Sequence, residues 1–230
     1  TVRDKETGVI FTGLNQFIDG GDGGDTYNTS SPEEDTILTP TVKSVEVSPD
    51  RLHRFMTVHY SMKVPAALNA DRKTRSKQAI EMPIQSRISL LPGVQRIDIR
   101  TTVENHAKDH RLCVHFPAPF GVAKAHYDGH FEVVQRPVGV PEKGEDWMEA
   151  PRPEVPQRAF TEISNGELGL MIANRGLPEV AVLDRVDGKV SEIALTLLRC
   201  VGWLSRGDLP VRQGHAGPAL ETPSAQMPGK

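Results

Sequence analysis

Residues 17–32 read Phe-Ile-Asp-Gly-Gly-Asp-Gly-Gly-Asp-Thr-Tyr-Asn-Thr-Ser-Ser-Pro. Four glycines and three aspartates in so short a stretch are incompatible with the interior of a helix or strand, so we predict a shaped loop. The glycines would take backbone conformations with positive φ, and the aspartates would hydrogen-bond neighbouring backbone or face a polar ligand. These residues are Gly20, Gly21, Gly23 and Gly24, and Asp19, Asp22 and Asp25.

Tyr27 follows directly, and its side chain is suited to stacking on a sugar while its hydroxyl donates a hydrogen bond. Taken alone, this stretch is also compatible with a solvated turn between two strands. A calcium loop is disfavoured, because the aspartates are three apart rather than alternating and no Glu stands at the twelfth position from Asp19.

Composition narrows the class of protein. The 230 residues suffice for one large all-β domain or two small ones. A net charge of -3 without any basic run argues against nucleic-acid binding, and the lack of eighteen consecutive apolar residues argues against a membrane span. Because the start is not signal-like, we expect a cytoplasmic protein. Cys113 and Cys200 lie in apolar runs, which predicts two buried reduced thiols and leaves a disulfide open.

Alternation of apolar and polar residues with period two dominates the chain and predicts long antiparallel strands. In residues 80–90, for example, Ile80, Met82, Ile84, Ile88 and Leu90 should face inward. Hairpin turns are predicted at 104–109, 164–166 and 187–188, where polar or Asn-Gly and Asp-Gly sequences separate apolar runs. With almost no helical pattern, the chain is predicted to be an all-β sandwich of large antiparallel sheets.

Histidine pairs are the remaining candidates for chemistry. His126 and His130 stand four apart and would suit a metal site on a helix, but Gly129 and the adjoining strand pattern favour ordinary local hydrogen bonds. His106 and His110 flank the predicted 104–109 turn, so we expect both to be exposed.

Four blocks in a fixed order give the chain a family resemblance. It resembles the C-terminal β-domain of bacterial α-mannosidases of glycoside hydrolase family 38. The blocks are residues 13–28 (Gly-Leu-Asn-Gln-Phe-Ile-Asp-Gly-Gly-Asp-Gly-Gly-Asp-Thr-Tyr-Asn), 103–112 (Val-Glu-Asn-His-Ala-Lys-Asp-His-Arg-Leu), 195–206 (Leu-Thr-Leu-Leu-Arg-Cys-Val-Gly-Trp-Leu-Ser-Arg), and 216–218 (Ala-Gly-Pro) with 222–226 (Thr-Pro-Ser-Ala-Gln).

The resemblance implies a large antiparallel β-sandwich of the supersandwich, galactose-mutarotase-like type, with few or no helices. It implies that residues 1–201 form the sandwich and that residues 202–230 run toward the active-site cleft. The chain would end before the last strands of the family's sandwich. An edge left unpaired in this way would favour a homo-oligomer.

In function, the resemblance implies a retaining α-mannosidase that hydrolyses terminal α-mannosidic bonds. Its zinc ion, its nucleophile and its acid/base would lie in an N-terminal catalytic α/β domain outside this chain, so we expect no cofactor here and no activity of the chain alone. The implied partners are that domain and a mannoside or oligosaccharide substrate, with no nucleic acid and no membrane. A carbohydrate-binding module and a purely structural sandwich remain alternatives.

The resemblance also implies which residues reach the sugar. Tyr27 matches the tyrosine of the family's Gly-Asp loop, and Arg136 matches an arginine that follows a strand before a long insertion. Asp22 and Asp25 are further candidates for substrate binding, although they could serve only to set the turns of the loop. His215 would line the cleft or cap a turn, and Trp203 is expected in the core.

Overall fold

The chain, described in a computed structural model over residues 1–49, 54–186 and 188–230, is built from antiparallel strands. Its only helix within these ranges is one 3₁₀ turn at Pro223–Gln226. The all-β prediction is therefore confirmed. The strands are β1 (Val2–Arg3), β2 (Ile10–Phe11), β3 (Gln16–Gly21), β4 (Thr41–Val47), β5 (Arg54–Pro65), β6 (Ala79–Leu90), β7 (Ile97–Val103), β8 (His110–Pro117), β9 (Lys124–Asp128), β10 (Val133–Pro137), β11 (Glu154–Pro156), β12 (Phe160–Ser164), β13 (Gly169–Ala173), β14 (Glu179–Arg185) and β15 (Val190–Cys200).

The chain forms two compact units. Unit 1 contains Thr1–Ile18, Leu112–Leu198 and Pro210–Gly214, and unit 2 contains Asp19–Arg111, Arg199–Leu209 and His215–Lys230. Strands β3, β8 and β15 therefore contribute residues to both units. The division into a sandwich of residues 1–201 and an extension of residues 202–230 stays a prediction.

A four-stranded sheet of order β4-β5-β6-β7 is the main element of unit 2. In β6, Met82 and Ile84 are buried while Glu81 and Gln85 are exposed, as the period-two pattern predicts. Leu90, predicted to face inward, is instead 52% exposed because the strand ends there. The same alternation predicts the preceding strand over residues 52–64, and the first two of these residues lie outside the described residues.

Residues 104–109 do not form the predicted hairpin. Strand β7 pairs with β6, and β8 belongs to another sheet, so the connection crosses between sheets. Asn105 is held by the C-terminal segment, because its N–H and C=O both bond to Gly229 at 2.8 Å. A length suited to a hairpin did not reveal this, since hairpin and crossover connections overlap in length.

Unit 1 contains a sheet of order β10-β9-β12-β13 and most residues of a five-stranded sheet of order β11-β14-β15-β8-β3. The hairpin between β12 and β13 is confirmed, and Gly166 in its turn takes φ +92°. Strands β14 and β15 also pair antiparallel, although Asp187 of the predicted turn lies outside the described residues. Ile163, Val180 and Ile193 are fully buried in this unit.

Glu192 is a buried carboxylate of unit 1. It accepts a hydrogen bond from His115 and another from Arg185 Nε at 3.0 Å. Burial raises the pKa of Glu192, but the hydrogen bond and charge of His115, together with Arg185, outweigh burial and leave that pKa below its usual value.

Both cysteines are buried free thiols, as predicted. Burial, followed by the negative charge of Asp19, raises the pKa of Cys200 to about 12. A thiol with such a pKa stays protonated and unreactive at neutral pH.

Candidate functional site

The Gly/Asp stretch is part strand and part loop, which corrects the prediction of a loop throughout. Strand β3 extends to Gly21, and the loop begins at Asp22. None of its four glycines takes positive φ, so the predicted reason for glycine here was wrong. The glycines are instead required by close contacts: a Cβ on Gly24 would lie 1.9 Å from the carbonyl oxygen of Asn28, and one on Gly21 would lie 2.7 Å from Pro32 Cγ.

Asp22 is buried and hydrogen-bonds the backbone of the loop at two points. Its Oδ1 accepts hydrogen bonds from the N–H groups of Gly24 at 2.9 Å and Ser30 at 3.0 Å, and its Oδ2 accepts one from Arg199 Nε at 2.9 Å. Burial raises the pKa of Asp22, against the opposing charge of Arg199 and the backbone hydrogen bonds.

Asp25 makes the next turn of the loop. Its Oδ1 accepts hydrogen bonds at 2.9 Å from the N–H groups of Tyr27 and Asn28, and its Oδ2 accepts one from the N–H of Arg206 at 2.8 Å. The side chains of Asp22 and Asp25 are thus buried and engaged with protein groups. This geometry favours the turn-setting alternative, and contact of either aspartate with substrate stays a prediction.

Tyr27 is presented by these two turns. Its side chain is 53% exposed, and its hydroxyl has no hydrogen-bond partner within the part of the chain that the structure describes. The ring lies against Gly217, where a Cβ would approach Tyr27 Oη to 2.8 Å. A rigid backbone therefore carries a phenol group that is available to a ligand.

The segment after β15 supports the loop from the other side. Thr26 donates hydrogen bonds from its N–H to Trp203 O at 3.1 Å and from its hydroxyl to Leu204 O at 2.7 Å. The buried Ser205 Oγ accepts from the N–H groups of Ala216 at 3.0 Å and Gly217 at 3.1 Å. Gly217, which the Tyr27 ring contacts, is therefore itself held in place by a hydrogen bond to Ser205.

His215 belongs to the same segment. Its ring is exposed and lies over Gly207, where a Cβ would be 2.6 Å from Nε2. Trp203, predicted in the core, is only half-buried, and the Arg206 guanidinium lies 5.3 Å from the centre of its ring. Asp22, Asp25, Tyr27 and His215 all belong to unit 2.

Arg136 lies in unit 1, within β10, which corrects the prediction that it follows a strand ending at residue 135. Its backbone pairs with Ala125, and its positive charge opposes the burial that raises the pKa of Tyr127 to about 12. Arg136 Nε is buried and has no hydrogen-bond partner in the described residues. The convergence of Arg136 and Tyr27 on one ligand stays a prediction.

A buried ionic network lies immediately before the loop. Asp19 accepts hydrogen bonds from Arg75 Nη2 at 2.6 Å and His110 Nδ1 at 2.5 Å, and the other ring nitrogen of His110 lies 3.1 Å from Asn105 Oδ1. His110 is fully buried, so its predicted exposure was wrong. Its partners lie up to 91 residues away in sequence, and no local pattern could have shown them.

The other histidine pair is bound locally. His126 Nδ1 is 2.8 Å from Glu162 Oε2, and its Nε2 is 2.9 Å from Gln135 Nε2. Within residues 1–49, 54–186 and 188–230, no group of three or more His, Cys, Asp or Glu side chains is placed to hold a metal ion. In the same ranges there is no helix with the length and hydrophobicity of a membrane span.

Comparison with known proteins gives the family. A model described as "Glycosyl hydrolases family 38 C-terminal domain" matches residues 3–206. The chain belongs to this family. The described residues therefore do not supply a set of ligands for the family's zinc ion.

Relatives of this family 38 domain are much longer than the chain. An α-mannosidase structure from Enterococcus faecalis is 28% identical with a TM-score of 0.82, and the match covers 99% of this chain and 26% of that one. A second Enterococcus faecalis structure, of a protein in glycosyl hydrolase family 38, is 27% identical with a TM-score of 0.81, covering 99% and 26%. A Halalkalibacterium halodurans protein named "Putative mannosylglycerate hydrolase" is 27% identical over 100% of this chain and 25% of its own length.

Proposed function

We propose that this chain forms the substrate-side wall of the active site of a retaining α-mannosidase. The nucleophile, the acid/base and the zinc ion would be supplied by an N-terminal α/β domain of the same polypeptide. Family membership and the names of the relatives support an α-mannoside as substrate. The chain spans about a quarter of the relatives' length, which leaves room for such a domain.

The observation that carries the proposal is the state of Tyr27. A half-exposed tyrosine whose hydroxyl lacks a protein partner is held on a backbone fixed by two buried carboxylates. Such a side chain can stack on a sugar ring and hydrogen-bond a sugar hydroxyl with little loss of conformational entropy. Preorganisation of this kind is what a binding site needs in order to favour the transition state over the ground state.

Arg136 supports the proposal independently. Its guanidinium offers planar, fixed donors that suit a sugar hydroxyl or a carboxylate, and its buried Nε lacks a partner in the described residues. A buried donor without a partner is costly, so a ligand or another domain that supplies an acceptor would remove that cost. Arg136 would then hold a substrate hydroxyl or orient a catalytic carboxylate.

Steady-state kinetics on the full-length parent tests the proposal. The chain alone should not hydrolyse an aryl α-mannoside, whereas the parent should. In the parent, Tyr27→Phe should weaken transition-state binding by about 1 to 3 kcal/mol and lower kcat/KM accordingly. Arg136→Ala should have at least as large an effect. Tyr60→Phe removes the same kind of hydroxyl from strand β5 and should leave kcat/KM unchanged.

Unchanged kcat/KM in both the Tyr27 and Arg136 variants, with unaltered thermal stability, would show that this domain is scaffold. Titration of the isolated chain with methyl α-mannoside separates the remaining possibilities. Measurable binding without the catalytic domain would favour a carbohydrate-binding module. A cytoplasmic location, proposed from the sequence, is tested by fractionating cells that express the parent.

A further inference from the structure

Arg199, the penultimate residue of β15, contacts the Tyr27 loop at three points. Its Nε donates to Asp22 Oδ2 at 2.9 Å, Nη1 donates to Thr26 O at 3.3 Å, and Nη2 donates to Asp25 O. The side chain is 14% exposed, and that of Asp22 is 0% exposed. One planar group therefore fixes the two residues that precede Tyr27.

Asp22 connects Arg199 to both ends of the loop through hydrogen bonds. While its Oδ2 faces Arg199, its Oδ1 binds the N–H groups of Gly24 and Ser30, which lie on either side of Tyr27 in sequence. Without the guanidinium, a buried carboxylate would lose its partner charge and two backbone carbonyls would lose their donors. The loop would then relax around Tyr27.

We propose that Arg199 is a positioning residue for substrate binding, which acts by holding Tyr27 in place and does not touch the sugar. The assignment rests on the proposed role of Tyr27. Arginine is required because its fork reaches three acceptors at once, whereas the ammonium of lysine is a compact point charge and does not reproduce that fork.

The loop itself can be observed without any assumption about function. The chain has three tyrosines, so incorporation of 3-fluorotyrosine gives three ¹⁹F resonances, and Tyr27→Phe identifies the one from Tyr27. Arg199→Lys should shift or broaden that resonance and leave the other two in place. Arg96→Lys, at an exposed ion pair, is the matched control and should change none of them.

A Tyr27 resonance unchanged by Arg199→Lys would overturn the proposal. Should that variant fail to fold, Asp22→Asn provides a second route, because the single amide oxygen of asparagine cannot accept both from Arg199 Nε and from the N–H groups of Gly24 and Ser30. It should perturb the same resonance, and an unperturbed resonance in a folded Asp22→Asn protein would equally overturn the proposal.

Kinetics of the full-length parent then separates positioning from general stabilisation. Arg199→Lys should lower kcat/KM about 5- to 100-fold in the presence of Tyr27 and much less in the Tyr27→Phe background, since residues that act through one another are not additive. Equal losses in both backgrounds would refute positioning. If Tyr27→Phe alone changes nothing, the proposed function fails, and the ¹⁹F experiment still decides whether Arg199 holds the loop.

Discussion

Gly217→Ala should displace the hydroxyl of Tyr27 without unfolding the protein. The new Cβ would lie 2.8 Å from Tyr27 Oη and 3.3 Å from Cε2 and Cζ. Gly217 does not have positive φ, so its backbone accepts alanine. The clash is with the end of a half-exposed side chain, which can move into solvent.

The size of the effect follows from these distances. Restoring an ordinary contact of about 3.5 Å requires Oη to move by roughly 0.7 Å. A hydrogen bond of about 2.8 Å to a sugar hydroxyl would then be stretched to the limit at which such bonds fail. The loss of one such bond corresponds to about 1 to 3 kcal/mol, or about 5- to 150-fold in kcat/KM.

Kinetics of the full-length parent with an aryl α-mannoside gives the measurement, and thermal unfolding gives the control for stability. We expect the unfolding midpoint to stay equal or rise slightly, since alanine restricts the unfolded chain. Gly169→Ala in strand β13 is the matched variant, because its Cβ would meet nothing closer than 3.8 Å. It should leave kcat/KM unchanged.

The result that would refute this reasoning is a Gly217→Ala parent with normal kcat/KM and a normal unfolding midpoint. Tyr27 would then tolerate displacement and could not be a substrate contact. Gly207→Ala examines His215 in the same way, because its Cβ would lie 2.6 Å from the ring Nε2. A loss of activity there, matched by His215→Ala, would indicate that His215 lines the cleft.

Three further predictions concern the buried charges and thiols. Asp19→Asn should lower the free energy of unfolding, measured by urea titration, by about 3 to 5 kcal/mol. The control Asp98→Asn, at an exposed ion pair, should lower it by less than about 1 kcal/mol. Equal losses would contradict a stabilising role of the buried network around Asp19. The pKa of Glu192 is lowered in the folded protein. Its contribution to the free energy of unfolding should therefore be complete above the pKa of the unfolded state, about 4.3, and should be lost as the pH falls through the pKa of the folded state. Glu192→Gln should flatten the fall in urea midpoint below about pH 5, and an unchanged slope would count against that pKa shift. Cys200 should not react at pH 8 with a disulfide reagent that modifies thiols until the protein is unfolded. Rapid reaction of Cys200 in the folded protein would contradict the raised pKa of this thiol.

Local sequence patterns were sufficient for strands with a clear period-two alternation and for one kind of turn. The alternation of Met82 and Ile84 with Glu81 and Gln85 predicts which side chains of β6 are buried, because successive side chains of a strand point to opposite faces. The Asn-Gly turn at 165–166 could be read directly, since its geometry depends on adjacent residues. Connections such as 104–109 could not, because their path depends on which sheet the next strand joins.

The sequence by itself determined the all-β class, the strands with clear alternation and, through four ordered blocks, the family. Only the tertiary structure decided what the Gly/Asp stretch does. The partners of Asp22 and Asp25 in Arg199 and Arg206 are 177 and 181 residues away, and His110 is buried against Asp19 across 91 residues. Strand and turn preferences depend on near neighbours in the chain, whereas the burial of a charge depends on groups that folding brings together. For that reason the same aspartates that suggest a ligand site in the sequence hold a tyrosine in place in the folded protein.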